Sequence, residues 1–155
     1  MKLSSKANEI YAQIKQETTK LGDLRKIAKA IKRDHELAME LWLTGEFLPR
    51  QLAILIMDKK LLTQERIDQL AQDIYSHDFE ERNQLIDWLM ANQLAKDKKT
   101  IALMESWENS PSVLQRRVFW YYQARLRWMG NTDHSNTEHL LNAIEKKKQS
   151  RETRK

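Results

Sequence analysis

The chain has no cysteine among its 155 residues. That excludes disulfides, a thiol nucleophile and any cysteine-ligated metal, and it fits a reducing compartment. Glycine and proline are scarce, at three and two residues. A β-sandwich or barrel needs far more turns than so few breakers can supply, so the expectation is helix throughout. No run approaches the roughly 18 apolar residues of a membrane span. The opening stretch "MKLSSKANEIYAQIKQETTK" has no secretory hydrophobic segment. Gly-rich phosphate loops and nucleophile elbows are also missing. A cytoplasmic, bacterial-type protein with no membrane association is expected, long enough for one domain with a continuous core.

What is present is charge, and it is segregated. The formal net charge is +5, but the last ten residues, "KKKQSRETRK", hold six bases and one acid. That tail alone carries +5, so residues 1–145 sum to zero. The high pI therefore reflects a basic tail, 146–155, read as disordered or as a fraying helix end, and does not itself mark a nucleic-acid-binding domain. Within the body, residues 20–33 carry six bases against Asp23, residues 111–130 carry four Arg and no acid, and residues 63–90 carry seven acids against two Arg. Basic and acidic faces follow from that partition.

Almost every segment repeats its apolar residues with helical period, as in Leu24, Ile27, Ala28 and Ile31. Candidate N-caps precede the runs: Asp34, Thr63, Asp78, Asp97 and Asn136, with Ser110 and Pro111 opening a long Arg- and aromatic-rich helix that Gly130 closes. Gly45 can end the helix that Asp34 begins, and Pro49 sits where the first turn of the next tolerates it. Alternate starts at 34, 63, 97 and 136 are spaced by 29, 34 and 39 residues. That is the scale of two-helix repeats of HEAT or armadillo type, in which one helix of each pair lines a binding surface. The expected fold is all-α: two-helix HEAT-like repeats stacked as a short α-solenoid over residues 1–145. A globular bundle is the alternative.

Two places concentrate chemistry. On the helix from residue 111, Arg116, Gln123 and Arg127 form a polar stripe with Trp120 at its edge and Arg117 alongside. Guanidinium groups beside an indole suit a nucleic-acid backbone; equally, these Arg can pair with the acidic helices while Trp120 joins the core. The second place is "YSHDFEER", Tyr75–Arg82. Asp78 with Glu81 three residues on is a capping box, and His77 before it reads as an exposed polar residue. The other reading is a carboxylate at a helix start beside a histidine, able to steady a developing positive charge or orient a water. The four histidines, His35, His77, His134 and His139, lack the ligand spacing of a metal site, so no metal is expected.

The stretch "LRKIAKAIKRDHELAMELWLTGEFLPRQLAILIMD" resembles the start of the bacterial DNA alkylation repair proteins, the AlkD-like alkylpurine DNA glycosylases. The resemblance continues through "LTQERIDQLAQDIYSHDFEERNQLIDWL" and "ENSPSVLQRRVFWYYQARLRW", about residues 20–145. It implies a HEAT-like fold and binding of duplex DNA with alkylated purines on a basic concave face. It further implies hydrolysis of the N-glycosidic bond without a base-flipping pocket, metal or cofactor. The family uses a Trp, an Asp four residues later and an Arg on a later helix. By position these match His77, Glu81 and Arg116, so the catalytic candidates are Glu81, His77 and Arg116. The DNA-binding candidates are Arg116, Arg117, Trp120, Gln123 and Arg127. A second family Trp has its place beyond residue 155, so the resemblance implies a chain lacking the last repeats, with self-association through the exposed repeat end. Two other functions stay open: a non-catalytic DNA-binding repeat protein and a helical scaffold for proteins.

Overall fold

Side-chain oxygens set just ahead of the apolar runs start the helices. Ser4, Asp34, Thr63, Asp78 and Asp97 accept backbone N–H groups of Ala7, Leu37, Arg66, Glu81 and Lys99 at 2.9–3.2 Å, each worth about 1 kcal/mol. The computed structural model describes residues 3–15, 21–128 and 136–153. Among them it has nine α-helices and no strand. These are α1 (Ser5–Ile14), α2 (Leu21–Ile31), α3 (His35–Trp42), α4 (Phe47–Ile56), α5 (Gln64–Tyr75), α6 (Phe79–Asn92), α7 (Lys98–Glu105), α8 (Val113–Trp128) and α9 (Thr137–Thr153). Gly45 makes the α3–α4 turn with φ +73°, a conformation strained for any residue with a Cβ; its N–H reaches the Trp42 carbonyl at 3.2 Å.

One start differs from expectation. Helix α8 begins at Val113, not at Ser110–Pro111. Ser112 is the capping residue, accepting the Gln115 N–H at 3.2 Å. Pro111 disfavours helical dihedrals at the residue before it, and the Ser110 hydroxyl is occupied by Gln115 Oε1 at 2.7 Å.

The helices pack as repeats. Within pairs, α3 lies on α4 and α5 on α6; between pairs, α1 meets α3, α2 meets α4 and α4 meets α6. Helix α4 thus touches its hairpin partner α3 and the equivalent helices α2 and α6 on either side, which is HEAT-like stacking and not a bundle around one central axis. Starts at 34, 63, 97 and 136 are indeed those of α3, α5, α7 and α9. Leu41, Leu52, Ile56, Ile74, Leu85 and Leu89 are fully buried between the layers, each contributing about 1.5–3 kcal/mol. Gln93, also buried, donates from Nε2 to the Ile54 and Met57 carbonyls at 2.6 and 3.3 Å. It closes the C-terminus of α4, where helical carbonyls run out of partners.

Contacts divide the chain into two units, Met1–Tyr122 and Gln123–Lys155. In the second, Arg127 bonds Gln123, Asn136 and Thr137 at 2.8–3.1 Å. The basic run after residue 145 continues α9 as far as Thr153. Gly130 and His134 lie outside the described residues. No described helix is long and apolar enough to cross a membrane.

Candidate active site

The α5–α6 turn brings His77 and Glu81 together. Asp78 caps α6, so residues 77 and 81 lie one helical turn apart, and His77 Nδ1 meets Glu81 Oε1 at 2.9 Å. The other ring nitrogen, Nε2, lies 2.9 Å from the Arg50 guanidinium. Arginine has N–H donors and no acceptor. Nε2 must therefore carry the lone pair, and the ring proton sits on Nδ1, where it is donated to Glu81. In that tautomer the His77–Glu81 contact is a hydrogen bond from Nδ1–H to a carboxylate oxygen. This explains why the capping box forms only by half: Asp78 takes the Glu81 N–H at 2.9 Å, but the Glu81 side chain goes to His77 instead of back to the Asp78 N–H.

His77 is not the exposed polar residue its neighbours suggest. Its side chain is 7% exposed, whereas that of Glu81 is 39% exposed. Phe47 contacts the imidazole edge-on, with centroids 6.4 Å apart. The corner therefore presents a solvent-facing carboxylate on a buried, oriented support.

Arg50 is the residue that sequence patterns miss. It sits in α4, buried at 8% exposure. Its Nε donates to the Trp42 carbonyl at 3.0 Å and one terminal nitrogen to the Asp73 carbonyl at 3.1 Å. Its plane lies over the Trp42 ring at 4.8 Å, and the Trp42 indole N–H donates to Asp73 Oδ2 at 2.8 Å. Burial pulls the Arg50 guanidinium below its ordinary value, and the Asp73 carboxylate offsets only part of that. The available signal was a single Arg inside "FLPRQLAILI", an otherwise largely apolar helix; a buried Arg must have partners.

The α8 residues separate into different roles. Arg116 donates to the Ser110 carbonyl at 2.5 Å. No hydrogen bond or ion pair joins it to His77 or Glu81 among the described residues. Arg117 holds Asp87 through two bonds at 3.0 and 2.9 Å and stacks on Tyr121 at 4.3 Å; the Asp87 bond raises its guanidinium above the ordinary value. Trp120 is half-buried and meets Phe119 edge-on at 5.1 Å. Gln123 is 4% exposed and accepts from Arg127. The expected open polar stripe is therefore partly internal: Gln123 is in the interior, and Arg127 spends its donors on the α8–α9 junction.

A groove of about 850 Å³ runs between α5 and the 106–112 loop, lined by Tyr75, Gln72, Asn109, Ser112 and Val113. Its floor is cross-bonded. Asp68 accepts from the amides of Gln64 and Gln115 at 2.7 and 2.6 Å, and Gln64 accepts the Trp107 indole N–H at 2.8 Å. Among the described residues no three His, Asp or Glu side chains are placed to hold a metal ion.

The family model described as DNA alkylation repair enzyme matches residues 6–155. The chain belongs to that family. No curated protein and no solved structure matches it. Membership in this DNA alkylation repair family makes DNA its substrate, and the match extends over both units, α9 included.

Proposed function

We propose that the protein is an alkylpurine DNA glycosylase, with Glu81 as its catalytic carboxylate. The observation that carries this reading is the Glu81 side chain, 39% exposed and hydrogen-bonded to a buried His77 at 2.9 Å. An N3- or N7-alkylated purine bears a positive charge. When its bond to C1′ breaks, the electron pair goes to the base, which leaves neutral, and the charge moves to the deoxyribose. A preoriented carboxylate facing that sugar stabilises the oxocarbenium-like transition state more than the ground state. Water then adds to C1′ and gives its proton to Glu81 or to solvent, leaving an abasic site. His77 acts by fixing the carboxylate's position, with its Nδ1–H directed at Oε1.

Arg116, held to the Ser110 carbonyl through one N–H, keeps its remaining donors for a DNA phosphate. Arg117, Gln123 and Arg127 engage protein partners, so the phosphate contact is assigned to Arg116. The test is release of alkylated purines from methylated duplex DNA. Wild-type protein is expected to release base and Glu81→Gln to do so about 10²–10³-fold more slowly, with DNA binding retained. Wild-type protein that binds DNA and releases nothing would rule out the glycosylase reading; equal rates for both proteins would remove Glu81 from the mechanism.

A further inference from the structure

Two exposed rings flank the corner. Tyr75 ends α5 at 51% exposure and Phe79 begins α6 at 67% exposure. They stand two residues to either side of His77. The Arg82 guanidinium lies over both, 4.5 Å from the Tyr75 centroid and 5.4 Å from that of Phe79. Arg82 forms no ion pair among the described residues, although Asp78, Glu80 and Glu81 all lie within four positions of it. Asp78 is committed to the α6 cap and Glu81 to His77. What remains is a planar cation lying over two solvent-facing aromatic rings, beside the proposed catalytic carboxylate.

We infer that Tyr75, Phe79 and Arg82 are a DNA-contact patch that holds the damaged strand against Glu81. The inference rests on the glycosylase reading for its orientation toward the lesion. Aromatic faces take deoxyribose and base surface without regard to sequence, and a stacked guanidinium keeps its edge N–H groups for a phosphate. A single strand segment satisfies both requirements, because sugar, base and phosphate repeat along it at the spacing of neighbouring groups. Tyr75 also lines the 850 Å³ groove, whose opposite wall includes Ser112 and Val113 at the start of α8. The groove lining adds neutral hydrogen-bonding groups, Gln72, Asn109 and Ser112, between the patch and the helix that bears Arg116. The patch thus supplies aromatic surface at the corner where the family's tryptophan position holds the buried His77.

The experiment is fluorescence anisotropy of a labelled duplex carrying a tetrahydrofuran abasic analogue, measured across a salt series with the full chain. Arg82→Gln is expected to weaken binding several-fold and to lower the slope of log affinity against log salt by about 1. Arg82→Lys should restore the slope without full affinity. The double variant Tyr75→Ala, Phe79→Ala is expected to lose about tenfold with the wild-type slope. Circular dichroism and melting confirm that each variant is folded; Arg82→Lys carries the comparison if Arg82→Gln is not. Folded variants that match wild-type affinity and slope overturn the patch, as does wild-type protein that fails to bind the duplex at low salt. Wild-type protein that binds through the patch but releases no alkylated base overturns the glycosylase reading alone.

Discussion

Replacing Arg50 by methionine separates the support of the corner from its carboxylate. The substitution removes N–H bonds to the Trp42 carbonyl, the Asp73 carbonyl and His77 Nε2. Two of those acceptors stay satisfied. The Trp42 carbonyl keeps the Gly45 N–H at 3.2 Å, and the Asp73 carbonyl keeps the Ser76 N–H at 3.2 Å and its hydroxyl at 2.6 Å. Only His77 Nε2 loses its donor, which costs about 1–3 kcal/mol. Loss of the stack on Trp42 adds about 1 kcal/mol, and release of a buried cation from desolvation offsets part of the total. Methionine fits irregular interior space well. The expected cost is about 2 kcal/mol, or about 4–8 °C in Tm for a chain of this size, read by urea denaturation with an unchanged slope. The functional effect should be larger. Without a donor at Nε2, the proton is free to leave Nδ1, Glu81 loses its bond, and a displacement of about 1 Å lowers base release about a hundredfold. Long-range proton–nitrogen NMR of His77 reports the tautomer directly. A wild-type ring protonated on Nε2 would refute the reasoning. So would an Arg50→Met protein with the Nδ1–H tautomer and full activity.

Two further outcomes test the scaffold. The Asp34 carboxyl is held below its ordinary value of 3.8 by the Lys6 ammonium and by the Leu37 N–H it caps. A folded value below the unfolded one means that its contribution is complete above the unfolded value and is lost as pH falls through the folded one. The stability gap between wild type and Asp34→Ala, about 1 kcal/mol at neutral pH, is therefore expected to close as pH falls below 3.8; a constant gap down to about pH 2 counts against it. Gln93→Leu orphans the Ile54 and Met57 carbonyls and is expected to cost about 1–3 kcal/mol in chemical denaturation. A neutral result would mean that water reaches the end of α4.

Helix starts and repeat spacing could be read directly because they are local. An N-cap needs one side-chain oxygen within three residues of an orphan N–H, so Asp34, Thr63, Asp78 and Asp97 announce their helices whatever lies around them. Apolar period does the same for the buried faces of α2 and α5. The position of the corner, residues 77–81, was legible through the family resemblance. Its construction was not. Half a capping box, a histidine read as exposed but buried, and an arginine 27 positions earlier in chain order form one hydrogen-bonded unit. Nothing in chain order joins residue 50 to residue 77. The stacking of α4 on α6 and the α5–α6 turn bring them together.

The sequence by itself therefore determined an all-helical chain and its repeat length, since composition, period and caps act over a few residues. Tertiary structure alone decided which charges are committed and which are available. Arg50, Arg117 and Arg127 bond to protein groups, whereas Arg82 forms no ion pair among the described residues and lies over the Tyr75 and Phe79 rings. All four are identical arginines in the sequence. Only packing, by placing or withholding a carbonyl, imidazole or carboxylate within about 3 Å, tells them apart.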